Sequence, residues 1–216
     1  NQDQHAGSAD GYQDEHAGAT DRDEDQYSDP ADRDQDEHAG SADGNGPTAR
    51  FLSPTGLAVD GDGNIYVSDT GNSTIRRIMP AGAVSTLAGT AGQAGNVDAT
   101  GANARFTSPN GLTVDGSGNL YVVDSGSHIV RRITPAGVVT TISGLAGTEG
   151  AANGTGNLAR FNTPFDIAID STGTLYVADS VNESIRRIAT NGAVTVFAGS
   201  PLAGNVEGTG ETARFF

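Results

Sequence analysis

Three histidines, His5, His16 and His38, recur on an 11-residue interval, and Asp14 and Asp36 stand two residues before the second and third of them. Imidazole and carboxylate side by side are the donor types that hold zinc, and carboxylates alone hold calcium. The unit starts at Asp3 and runs four times, with Tyr27 in place of the remaining histidine. No unit has the ligand order of an EF-hand, with its turn glycine and closing glutamate. Metal collection, with weak calcium binding, is thus one reading of residues 1–48. The other is a disordered, solvated acidic arm, too poor in apolar residues to offset the entropy of ordering. An 11-residue period can also mark a right-handed helical supercoil, but that needs an apolar stripe, and this segment has none. The sequence therefore favours the disordered arm and no resident cofactor. Its last unit runs into Gly44–Thr48, which reads like the glycine-rich linkers further along.

Beyond the arm there is one histidine, His128, and a single imidazole cannot build a multi-histidine metal centre. Asp60, Asp62 and Asn64 alternate as a calcium loop begins, but Ile65 stands where that loop needs glycine and Gly71 where it needs glutamate. Glycine, Asp and Asn in this stretch suit a tight hairpin turn instead. No Ser–His–Asp order or phosphate-binding glycine loop emerges.

The elements that would position such residues follow from a longer period. Ala-Arg-Phe occurs at Ala49–Phe51, Ala104–Phe106, Ala159–Phe161 and Ala213–Phe215. Units of this length stack or close into rings, because none buries its apolar faces alone. The first contains four β runs, Leu57–Val59, Ile65–Ser68, Thr74–Ile78 and Val84–Leu87, separated by turn residues. The second run is apolar on both faces, as in a sheet packed between neighbours. It closes on Asp69, Asp124 or Asp179. The third run carries paired arginines, which need partners on so apolar a surface. The structural residues expected to form ion pairs and backbone contacts are Arg50, Arg105 and Arg160 of the Ala-Arg-Phe triplets, the three aspartates, and Arg77, Arg132 and Arg187 with their preceding arginines Arg76, Arg131 and Arg186.

The recurring pattern A-R-F-x-x-P-x-G-[LI]-x-[VI]-D-x-x-G-N-[IL]-Y-V-x-D, ending in I-R-[RK]-I, resembles the NHL repeat. The resemblance covers residues 49–216. It implies an all-β protein of β-propeller blades, usually six to a ring, whose end loops bind protein, nucleic acid or small ligands. The expected organisation is an arm over 1–48, three four-stranded blades over 49–103, 104–158 and 159–212, and the start of a fourth unit at 213–216. Three blades are half of a six-bladed ring, so self-association or partner blades are expected to cover the end faces. The resemblance also admits lyases, and half of a propeller lyase or hydrolase, or a cell-surface filament subunit, are the competing functions.

Net charge is -15, all twelve basic residues are arginine, and fourteen of the 27 acidic residues fall in residues 1–48. Such a chain lacks the basic footprint that nucleic acid requires. Nor does any apolar run reach the ~20 residues that span a bilayer, so membrane insertion is not expected. Absence of cysteine rules out disulfides. Composition points to an exported bacterial protein, extracellular, at the cell surface or periplasmic. Function is sought where the units differ: Asn110, Phe165 and Asp166 at the start of the first strand, and His128 and Glu183 between the second and third. These five are the candidate ligand-binding residues, for an unidentified protein or glycan.

Overall fold

The computed structural model describes residues 40–200 and 204–215. The disorder expected of the arm, and the metal reading placed on His5, His16, His38, Asp14 and Asp36, lie outside the described residues.

Each repeat forms an antiparallel meander. In the first, β1 (Gly44–Asn45) precedes β2 (Pro54–Val59), β3 (Ile65–Asp69), β4 (Thr74–Ile78) and β5 (Ala83–Ala88). The second comprises β6 (Pro109–Val114), β7 (Leu120–Asp124), β8 (Ile129–Ile133) and β9 (Val139–Ser143), and the third β10 (Gly154–Thr155), β11 (Pro164–Ile169), β12 (Leu175–Asp179), β13 (Ser184–Ile188) and β14 (Ala193–Gly199). Strand order in the first sheet is β1-β5-β4-β3-β2, and the third repeats it. The β2–β3 turn is pre-formed by Asp60. Its carboxylate accepts the N–H groups of Asp62 (3.0 Å) and Asn64 (2.9 Å), the Asn64 amide (2.9 Å) and the Tyr66 hydroxyl (3.0 Å). Asp115 does the same in the second unit, and in the third Asp170 accepts the Thr172 hydroxyl where the others accept an amide. These carboxylates serve their own turns, which makes the calcium-like alternation a hairpin device.

The segment before each Ala-Arg-Phe returns to the outer edge of the blade that follows it. Gly44 and Asn45 pair with Val84 and Ala83, Thr100 bridges Val138, and Gly154 and Thr155 pair with Val194 and Ala193. The boundary that composition draws at residue 48 therefore moves: residues 40–48 are part of the first blade. Such a clip is glycine-rich and pairs over two residues at most, too short for strand periodicity to show.

The inner strands pack in series, β2 on β6 and β6 on β11. Gly56 and Gly111 permit this closeness, since a Cβ on Gly56 would lie 2.3 Å from the Asn110 carbonyl oxygen and one on Gly111 2.5 Å from Asp166 Cα. Two apolar clusters weld neighbouring blades. One joins Tyr66, Ile75 and Ala88 to Phe106, Leu112 and Leu120; the other joins Val123 and Val130 to Phe161, Ile167 and Leu175. Among the described residues no helix is long and apolar enough to cross a membrane.

Candidate functional site

A buried arginine forms the rigid centre of each blade. Arg76, fully buried, donates to Asp69 (2.9 Å), to the carbonyls of Arg50 (2.9 Å) and Ala42 (2.8 Å), and to the Asp43 carboxylate (2.9 Å). Its guanidinium stacks on Phe51 at 4.9 Å. One side chain thus ties the third strand to the second, to the Ala-Arg-Phe turn and to the outer clip. Arg131 and Arg186 repeat the pattern with Asp98 and Asn153 in the clips and Phe106 and Phe161 beneath. Asp124 and Arg131 stand 3.8 Å apart, whereas the other two pairs close to 2.9 Å. Burial pushes the Asp124 carboxyl above its usual range, against the N–H groups of Ser108 and Thr107 and the charge of Arg131; Asp179 is raised by burial in the same way.

This corrects the expected assignment of the pairs. Asp69, Asp124 and Asp179 are buried partners as expected, but the arginine that meets each is the first of the doublet. Arg77, Arg132 and Arg187 lie across from Tyr66, Tyr121 and Tyr176 on the opposite face of the sheet. Successive side chains of a strand alternate faces, so only one arginine can face the aspartate. Arg105 and Arg160 donate through their guanidinium groups to nearby backbone carbonyls, as Arg50 does to Pro47 and Ala49, and so close the turn.

The five candidate ligand residues separate into two groups. His128 adopts a left-handed conformation (φ 59°), and its Nδ1 accepts the N–H of Thr163 in the next blade at 3.0 Å. It is a blade-to-blade fastener. Ser73 holds the same place in the first blade, donating to the Thr107 carbonyl at 3.4 Å. Glu183 holds it in the third, on the outer flank. Its Oε2 is shielded from solvent and has no hydrogen-bond partner among the described residues, in a pocket shared with Asp179, Ile185 and Phe215. Residues 204–215 there repeat the clip of a further unit, since Gly204 donates to the Phe215 carbonyl at 3.1 Å as Gly95 does to Phe106 and Gly150 to Phe161.

Asn110, Phe165 and Asp166 come together. With Thr55, Gly56, Leu57, Gly111 and Leu112 they line a cleft of about 240 Å³ where the inner strands begin. Thr55 bonds Thr70 at 2.7 Å and Asn110 donates to Ser125 at 2.7 Å, so both face back into their own blades. Phe165 has no such bond and is 54% exposed. The third unit also carries Asp166 where the others have glycine. A bulge between Pro164 and Asp166 interrupts the β11–β12 ladder at this point.

The NHL repeat family model matches residues 51–78 and 106–133. NHL repeat-containing protein 2 of Bos taurus is 35% identical over 64% of this chain and 21% of its own length. Protein SUPPRESSOR OF QUENCHING 1, chloroplastic, of Arabidopsis thaliana is 30% identical over 67% of this chain and 14% of its own. The chain thus spans about a fifth or less of the length of these relatives. Among solved structures, a structural genomics protein of unknown function from Bacteroides thetaiotaomicron superposes with a TM-score of 0.61 at 24% identity, over 75% of this chain and 40% of that one. An auxiliary nutrient binding protein from Bacteroides ovatus gives 0.58 at 18% identity, over 78% and 42%. At such identities these structures speak to the fold, which is that of β-propeller blades.

Proposed function

Because this chain belongs to the NHL-repeat family, we propose that it is a binding scaffold outside the cytoplasm. It presents the strand-start cleft to a protein or glycan and accepts further blades on its two end faces. One comparison carries the reading. Leu57, Leu112 and Ile167 occupy the same position in successive repeats, yet Leu112 and Ile167 are each 5% exposed and Leu57 is 67% exposed. On the first blade the inner-strand part of that face, Leu57 and Val59, is open, while Val67 and Val84 on the same face are covered.

The third blade is open on the other side. Phe197 stands at the place of Leu87 and Ile142, which pack into the two inter-blade clusters, and is itself 52% exposed. Exposed large apolar side chains at both ends of the blade series, Leu57 and Val59 at one and Phe197 at the other, mark interaction surfaces. A second copy, bringing its first blade to this third blade, would supply the missing cover and would replace the clip at 204–215 with its own. Head-to-tail contacts of this kind close rings or propagate.

The chain contains no cysteine, so introduced thiols report cleanly. A chain carrying both Leu57→Cys and Phe197→Cys should be linked between copies by a bis-maleimide whose arm spans about three strand spacings of ~4.8 Å, the separation of innermost and outermost strands, and either single variant far less. Equal cross-linking in all three, or none in the double variant, would overturn the reading of the end faces. Fractionation of the producing cell tests the placement outside the cytoplasm.

A further inference from the structure

Resting on the cleft as the ligand site, we propose that it takes a cationic side chain of a protein partner, a lysine ammonium or arginine guanidinium, held between the Phe165 ring and the Asp166 carboxylate. The repeat supplies its own control. At the position of Phe165, the other two units place side chains whose polar atoms are engaged within the blade, Thr55 on Thr70 and Asn110 on Ser125. Only the third unit presents a half-exposed aromatic ring, and among the described residues no other ring or cation stacks on it.

Among the described residues, Asp166 is the one charged residue lining the cleft. Its Oδ1 accepts the N–H of Ile167 at 2.9 Å, and no other bond to its carboxylate is formed among the described residues. In the first two units this position is glycine, where a Cβ would press on the following inner strand; the third carries a carboxylate whose Oδ1 folds back over Gly111 of the preceding strand. The bulge at Pro164–Asp166 lets adjacent residues line one cleft, where a regular strand would send them to opposite faces. A π face attracts a cation through its quadrupole, and a carboxylate adds a charge-assisted hydrogen bond. A neutral sugar could also lie on the ring. It would tolerate an amide in place of the carboxylate, and a cation would not.

The chain has no tryptophan, so Phe165→Trp in the full chain is a single fluorescent reporter that keeps an aromatic face. It is titrated with blocked tripeptides centred on lysine, arginine or the neutral norleucine, and with a neutral maltooligosaccharide. Calorimetry on the unsubstituted chain with the same probes guards against a reporter that fails to fold. The expected result is a saturable response to lysine or arginine peptides, absent with norleucine, and weakened about tenfold by Asp166→Asn. Saturation by norleucine or by the oligosaccharide, unaffected by Asp166→Asn, would overturn the cationic class while leaving the cleft a binding site. No response to any probe by either method would remove both.

Discussion

Leucine-to-alanine substitution at two equivalent positions, Leu112 and Leu57, measures what blade-to-blade packing contributes. Leu112 lies in the cluster between the first two blades and is 5% exposed, whereas Leu57 is 67% exposed. Truncating a buried leucine costs about 2 to 5 kcal/mol, because the cavity adds to the lost transfer energy. At Leu57 about a third of that surface is covered, so the expected cost is below about 1 kcal/mol. The difference of roughly 2 kcal/mol should appear in urea unfolding followed by circular dichroism, at concentrations low enough to hold single chains, as a midpoint shift at unchanged slope. Raising the concentration should make Leu57→Ala costlier, because burial then occurs between copies. Costs for the two variants within about 0.5 kcal/mol of each other in dilute solution would refute the reasoning.

Other perturbations separate the remaining claims. Replacing Arg186 with methionine strands the buried Asp179 and should cost about 3 kcal/mol or more in urea unfolding, whereas Arg187→Met, on the exposed face, should stay within about 0.5 kcal/mol. Phe161→Ala should cost about 3 to 5 kcal/mol and Phe215→Ala far less by the same measurement, since Phe161 is fully buried and Phe215 is 41% exposed. Stability below pH ~5 should show two opposed contributions, resolved by unfolding at stepped pH. The Asn64 amide beside Asp60 and the Thr172 hydroxyl beside Asp170 hold those carboxyls below the usual range; at Asp115 burial pushes upward, but bonds from Asn119, Ser117 and Tyr121 outweigh it. Their stabilisation is present above the unfolded value of about 3.9 and is lost as pH falls through the lower folded values, so Asp115→Asn should flatten the acid decline. Asp124, raised by burial, gains stability as it protonates on acidification, so Asp124→Asn should steepen the decline.

Much of this architecture was legible because the repeat multiplies each signal. The strand runs, the aspartate-led hairpins and the apolar second strand were readable from alternation and turn chemistry, and the structure places β4 at Thr74–Ile78, as expected. The identity of the buried arginine was also within reach. Four residues separate Asp69 from Thr74, and counting outward from that turn sets Arg76 opposite Val67, on the same face as Asp69. The clip was not legible, because its pairing covers two residues and its glycine content reads as a linker. The bond made by His128 was not legible for a different reason. Its partner, Thr163, is 35 residues away in the next blade, and no local pattern announces a bond across that distance. Phe165 and Asp166 stood out as departures from the repeat, and their shared cleft depends on a bulge that spacing alone does not show.

The central claim is that end faces of this shape take further NHL blades. The most direct test is the mass of the particle in solution by sedimentation equilibrium across a wide concentration range. The account predicts particles of more than one chain, returned to single chains by Leu57→Glu on the open face of the first blade. A single-chain mass of 21.9 kDa at every concentration, unchanged by that substitution, would contradict it.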